Sequence, residues 1–345
     1  MNSPAPFLSP SEAARQLGVS PKALRLYEQR GLVAPARTGT GWRAYGPGEM
    51  ARAAEVVALR ALGLSLAQIA RVLAGDPVGL EAALATHQTA LEGQLRQLAG
   101  TVEKVRCLRA GLAQGQAPAA AELVRLLEPA TELYAAFDLP WPWGDERFEL
   151  RSVQPLTYII GPLGSGKTRL AQRLADTLPG ASFLGLDRLA DGGVSARTKL
   201  DADPALASRV DRILAWLIED GAMESAVLTV LLARLEADGP LTALVIDMVE
   251  QGLEGTTQQA LIAYLRRRGP GGRPLFLLTR SSSILDLAAV GANEAIILCP
   301  ANHSPPTLVA AYPGAPGYEA VATCLASPEV RARTEGIIAL RPQVA

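Results

Sequence analysis

Cysteine is scarce: Cys107, Cys299 and Cys324 are the only three in 345 residues, far apart and with no C-x-x-C pair. That spacing argues against a disulfide framework and a structural zinc site, and makes a reducing compartment the expected one. Long apolar runs are missing too. No uncharged stretch approaches the ~20 residues of a membrane span, and the opening MNSPAPFLSPSEAARQ has no apolar signal core. The expected location is therefore cytoplasmic, with no membrane partner. Net charge is nearly absent, at −1 from 33 Lys+Arg and 34 Asp+Glu, which by itself points to no polyanionic partner. Lysine supplies only four of those cations, and with the abundant Ala, Gly, Pro and Arg this reads as codon bias rather than function. What is present suffices for a core: 49% hydrophobic and 19% charged residues exclude whole-chain disorder, and the length suggests about two domains.

The charge is unevenly placed. Residues 1–75 hold nine Lys/Arg against four Asp/Glu, whereas the remainder holds 24 against 30. A basic head on an acidic body makes the head the candidate for nucleic-acid contact. Ser9-Pro10-Ser11-Glu12 is a helix start with a capping box, and Gly18 is its stop. Ser20-Pro21 starts a second helix, stopped by Gly31. Two short helices across a Gly-containing turn are the helix-turn-helix pattern. Trp42 to Tyr45 reads as a β-wing, Pro47 opens a third helix, and Ser65 with Gln68 caps a fourth. From 77 to 114, apolar residues at Leu80, Leu84, Leu91, Leu95, Leu98, Val102, Val105, Leu108 and Leu112 make a heptad-like stripe, with His87 or Gln88 filling the wide gap. A helix of this length predicts a homodimer seam over residues 77–114.

These head residues, LGVSPKALRLYEQRGLVAPAR, GWRAY and ALRALGLSLAQIARVL, resemble the DNA-binding domain of the mercury-resistance (MerR) regulator family over residues 9–74. Leu26 and Trp42 stand where the family usually has tyrosine. The resemblance implies a winged helix-turn-helix followed by a dimerising coiled coil. It implies double-stranded promoter DNA as the partner, bent and untwisted so that RNA polymerase can use it. Lys22 and Arg25 would reach the major groove or its phosphates, and Arg37, Arg43 and Tyr45 on the wing would hold the backbone. Trp42 joins this set, and Tyr27 is as well suited to the core as to contact. The family's metal-sensing members carry cysteine clusters beyond the coiled coil, whereas Cys107 stands alone.

The periodicity changes past GQAPAA (115–120). LTYIIG, LTALVID, PLFLLT and EAIILC read as buried strands alternating with helices, so a mostly parallel sheet is expected. Gly161-Pro-Leu-Gly-Ser-Gly-Lys-Thr168 follows the first strand and fits the phosphate-binding loop G-x-x-x-x-G-K-[ST]. The nucleotide set is Gly161, Gly164, Ser165, Gly166, Lys167, Thr168 and Arg169. Backbone N–H groups of 164–167 cradle phosphate, Lys167 neutralises it, and Thr168 with Asp247 at a later strand end takes Mg²⁺. Trp141, Trp143 and Phe148 precede the first strand as packing residues or an adenine platform. The organisation expected is multidomain. It comprises an all-α winged helix-turn-helix (1–75), a coiled-coil helix (76–116), a linker with a short helix (117–150) and an α/β P-loop NTPase domain (151–345).

LVIDMVEQGLEGTTQQALIAYLRR resembles the Walker-B and D-loop stretch of ABC-type ATPases, and PLFLLTRSSSIL their following strand and switch loop. Two departures matter. The family's catalytic glutamate is replaced by Met248 and its switch histidine by Arg280, and neither side chain can take a proton from water. The expectation is a promoter-binding regulator modulated by ATP and Mg²⁺, with slow or absent hydrolysis and no catalytic residue assigned. Two alternatives remain: an ABC-like ATPase that remodels DNA or a partner, and a small-molecule kinase. The kinase reading lacks an obvious Arg-rich lid.

Overall fold

Helix caps written into the sequence set the head's elements. The computed structural model describes residues 7–38, 41–113, 135–150, 153–238, 242–269 and 272–325. Helix α1 (Pro10–Leu17) starts on Ser9, whose side chain and that of Glu12 cap each other's backbone N–H, and ends at Gly18 with φ 67°. Helix α2 (Pro21–Gln29) starts on Ser20 with proline in its first turn. Two short antiparallel strands, β1 (Ala36–Arg37) and β2 (Arg43–Ala44), form the wing. Helices α3 (Pro47–Ala61) and α4 (Leu66–Leu73) follow, the latter with the Ser65/Gln68 capping box. Ala13, Leu24, Tyr27, Tyr45, Val56, Leu64 and Ile69 close one core among these helices.

Helix α5 (Leu80–Ala113) is one element of 34 residues, about 50 Å long at 1.5 Å per residue. Its first turn belongs to the head, because Ala83 is buried in the head's core and Leu80 packs against it. Beyond that, Leu84, Leu91, Leu95, Leu98, Val102 and Leu112 are exposed. His87, one of the two residues with Gln88 expected to fill the wide gap in the stripe, lines a cleft that faces the body. The linker segment expected over 115–134 lies outside the described residues. Residues 135–150, expected as the end of that linker, pair as an antiparallel hairpin, β3 (Ala135–Asp138) with β4 (Arg147–Leu150). Phe137, Leu139, Trp143, Phe148 and Leu150 are the reason: each buries against the body.

The body is a sheet covered on both faces. Its strands are β5 (Leu156–Ile160), β6 (Ser182–Leu184), β7 (Leu244–Ile246), β8 (Leu275–Leu278), β9 (Glu294–Leu298) and β10 (Thr307–Leu308), in the order β10-β9-β5-β8-β7-β6. All neighbours are parallel except β10, which runs against β9. Side chains alternate across a strand, so each continuous apolar run feeds two cores. Tyr158, Ile160, Ile246 and Leu277 face one core with α8 (Pro204–Glu219), α9 (Ala226–Leu235) and α10 (Gly255–Arg267). Ile159, Val245, Phe276 and Ile297 face the other, with α6 (Lys167–Thr177) and the 135–150 hairpin. Helix α7 (Val194–Ala202) joins β6 to α8, and α11 (Tyr318–Leu325) closes the described body. Strand β6 went unseen in the sequence because three residues carry no period.

Head and body meet along α2, α3 and α4 on one side and the end of α8 on the other. Arg60 grips Asp220 with two hydrogen bonds, 2.7 and 2.5 Å. Asp220 also accepts the Leu66 N–H at 3.0 Å, so a body carboxylate serves the first turn of a head helix. Glu219 accepts from the Ser65 hydroxyl (2.8 Å) and Arg71 (3.2 Å), and the Trp216 indole donates to Gly63 O at 3.2 Å.

Gly161 sits where β5 turns into the phosphate loop, and a Cβ there would overlap the Cys299 carbonyl and the Ser165 hydroxyl. Gly161→Ala is expected to cost about 1–3 kcal/mol of body stability through this overpacking. A urea midpoint unchanged from wild type would contradict the close approach.

Candidate nucleotide site and DNA-facing surface

In open α/β sheets a ligand crevice forms beyond the carboxyl ends of the strands. Here the loops leaving β5, β7 and β8 emerge at that edge. The loop after β5 carries Gly161, Gly164, Ser165 and Gly166, and α6 starts at Lys167, so the predicted phosphate cradle is one continuous turn. Gly166 caps α6 at φ 89°, and a Cβ would run into the buried Trp143 ring. Trp143 is fixed in turn by its indole N–H, which donates to Ser304 O at 3.1 Å. Lys167 folds onto its own loop, donating to Pro162 O at 2.6 Å. Burial holds its ammonium below the usual lysine range.

The two predicted Mg²⁺ residues come together from 79 positions apart: the Thr168 hydroxyl donates to Asp247 Oδ2 at 3.0 Å. Asp247 is buried at the end of β7. The donor set of one hydroxyl and one carboxylate beside a lysine fits a phosphate-bound magnesium ion.

Met248 cannot serve as a base, and its backbone is unusual as well. It lies in the left-handed region at φ 44°, which costs a non-glycine residue about 1–2 kcal/mol. Arg188 holds the turn by donating to Asp247 O and Met248 O, both at 2.7 Å, and burial keeps its guanidinium below the usual arginine range. Glu250 points to the loop after β8, accepting the Arg280 N–H at 2.7 Å through Oε1, while its buried Oε2 has no hydrogen-bond partner. Arg188 carries no sequence motif and was missed. His303, whose Nε2 lies 3.2 Å from Gly164 O, was missed for the same reason. Of the aromatic trio, Trp143 and Phe148 are core, and Trp141 is 70% exposed with the Arg169 guanidinium 4.8 Å from its ring centroid.

The expected DNA contacts separate into two groups. Arg25, Arg37 and Trp42 are exposed on α2 and the wing. Arg43 is held at 2.7 Å by Glu28, which also accepts from the Tyr45 hydroxyl. Tyr27 and Tyr45 are both buried in the head's core, where aromatic area is worth more than at the surface, and for Tyr27 this is the core role that the sequence also allowed. Lys22 is engaged by the body, donating to Ser282 O at 2.9 Å and Ser283 Oγ at 3.3 Å.

A family profile described as "MerR HTH family regulatory protein" matches residues 8–76. A "Probable heavy metal-dependent transcriptional regulator" of Haemophilus influenzae is 37% identical over 103 residues, 28% of this chain and 80% of that protein. "Heavy metal-dependent transcription regulator 2" of Rhizobium meliloti is 44% identical over 64 residues, and the chain spans 44% of its length. Among solved structures, the ADP conformation of MJ1267, an ATP-binding cassette of an ABC transporter, has a TM-score of 0.36 at 15% identity, covering 60% of this chain and 99% of that one. No helix among the described residues is long and apolar enough to cross a membrane. With a matching profile over the winged head, and four fifths of a curated relative spanned at more than a third identity, the chain belongs to the MerR family of helix-turn-helix regulatory proteins.

Proposed function

We propose that this MerR-family regulator binds promoter DNA through residues 1–75 as a homodimer, and that Mg²⁺-ATP bound to its P-loop body modulates that binding. One observation carries the nucleotide half: Thr168 and Asp247 are hydrogen-bonded at 3.0 Å directly beside Lys167. Backbone N–H groups of 164–167 would hold the phosphates, Lys167 their charge, and Thr168 with Asp247 the metal shell. The exposed Trp141 beside Arg169 is the aromatic surface available to a base, and Trp143 is committed to packing under Gly166. Bound metal would supply charge neutralisation at phosphate. Met248 and Arg280 supply no general base, so binding is expected to outlast hydrolysis.

The dimer reading rests on α5. Leu91, Leu95, Leu98 and Val102 form an apolar stripe that single-chain packing leaves open, and a second copy of the same helix covers it by heptad pairing. RNA polymerase enters as the partner because of the family resemblance of the head.

A second reading, hydrolysis-driven remodelling, is favoured by Glu250. Its unpartnered Oε2 is a buried carboxylate oxygen at the strand-end crevice. If it activates water, Glu250→Gln will lower ATP turnover by about 10²-fold or more. On the preferred reading wild type already has negligible turnover, with or without DNA, and the substitution changes nothing.

Lys167→Ala should abolish Mg²⁺-ATP binding by equilibrium dialysis while the same chain still shifts DNA. ATP affinity unchanged in this variant would remove the P-loop assignment. Replacing Leu95 and Leu98 with Asp would bury charge in the seam, at a cost of several kcal/mol per pair. Sedimentation should then give a monomer; a persistent dimer would contradict pairing through α5.

A further inference from the structure

One stripe of α2, the second helix of the helix-turn-helix, is covered by the body, while Arg25 and Gln29 on another face stay exposed. Leu24 and Tyr27 of α2 turn into the head's core, and Glu28 is taken by the wing residues Arg43 and Tyr45. Positions 22, 26 and 30 fall on another stripe, at i, i+4 and i+8. Lys22 reaches Ser282 and Ser283, Leu26 lines the cavity against the body, and Arg30 donates to Asp220 O at 3.3 Å. A Cβ on Gly221 would overlap the Arg30 guanidinium, so the body's backbone lies directly against that stripe.

A helix-turn-helix protein inserts this second helix into the major groove, led by its N-terminal residues. The groove is about 12 Å wide and a helix with its side chains is about as broad, so nothing else fits beside it. The body's contacts also have the chemistry of a nucleic-acid backbone: oxygens receiving cations. Lys22, Arg30, Arg60 and Arg71 of the head all donate to oxygens contributed by residues 219, 220, 282 and 283. The same sense appears in the whole-chain imbalance, a basic head on an acidic remainder.

We propose that this acidic edge of the body, residues 219–221 with the loop 281–286, is a docking surface that competes with DNA for the recognition side of the head. This rests on the DNA-binding reading above. In the closed arrangement four of the head's nine cations, Lys22, Arg30, Arg60 and Arg71, are satisfied by the body, and their use on DNA requires the edge to withdraw. The seam is built to part. A cleft of about 450 Å³, half open to solvent and lined by Lys22, Leu26, Tyr27, Arg60, Trp216 and Arg267, runs along it, so water already reaches part of the seam. The loop that holds Lys22 is also the one that leaves β8 beside the phosphate site. Arg280 N–H is tied to Glu250 Oε1, and Ser281 Oγ donates to Gln258 at 2.5 Å. A nucleotide that re-sets the loop after β8 thereby acts on Lys22 directly.

The test uses the full chain and a mixed-sequence DNA duplex. Glu219→Lys repels Arg71 across the seam and is expected to tighten DNA binding about 5- to 10-fold by raising the open fraction. Asp201→Lys, which makes the same charge change at an exposed site away from the seam, controls for added positive charge and should tighten binding much less. Amide exchange supplies a readout independent of affinity: the Leu66 N–H, bonded to Asp220, should be protected in the free chain and lose protection at DNA saturation. Equal affinities for the two variants, or a Leu66 amide still protected with DNA bound, would overturn the competition. If no variant binds DNA at all, the DNA-binding reading fails, and the competition fails with it.

Discussion

Asp220 is the joint on which the two halves depend. One carboxylate from the end of α8 receives both arms of Arg60 and the Leu66 N–H, and it is almost fully buried. Breaking a buried, hydrogen-bonded ion pair by removing one partner costs about 3–5 kcal/mol, because the other charge is stranded. On the competition proposed above, the joint has two states with little between them: Asp220 engaged and dry, or released and hydrated.

The position of the joint gives it functional reach. On the head side it touches the start of α4 and, through Arg30, the end of the recognition helix. On the body side, the neighbouring contact to Lys22 comes from the loop after β8, which leaves the sheet at the same edge as the phosphate loop and Asp247. The alternation of apolar side chains along β5, β7 and β8 anchors these strands in two cores. The phosphate loop, the loop after β8 and α2 thus lie in series, and on the proposed function a bound nucleotide would act at one end of it. A ligand shifts such a series only by its difference in affinity between the states.

Legibility in the sequence followed the range of the interaction. Helix starts at Ser9, Ser20 and Ser65 were readable because a cap is settled within four residues, and the P-loop because its glycines and lysine act on one turn. Long apolar runs announced β5, β7, β8 and β9, but β6 is too short to show a period. The hairpin at 135–150 looked like linker because its prolines and glycine masked two four-residue strands, and its burial is decided by the distant α6. Tyr27 was open between core and contact in the sequence, and both it and Tyr45 are buried, since which face of a short element turns inward is set by its neighbours. The pairing of Thr168 with Asp247 was foreseeable from motif roles. The grip of Asp220 on Arg60, 160 residues apart, was not, because no local pattern encodes which acid meets which base.

The central claim is that nucleotide state and DNA state are coupled within one chain. The most direct measurement is the affinity of the full-length protein for an operator selected from a random duplex library, titrated with and without saturating Mg²⁺-ATP. Coupling predicts a change of about 5-fold or more, in either direction, and the reciprocal change in ATP affinity when operator is bound. Identical operator affinity at every ATP concentration, from a protein that demonstrably binds ATP, would contradict it and leave the P-loop body without a regulatory role in DNA binding.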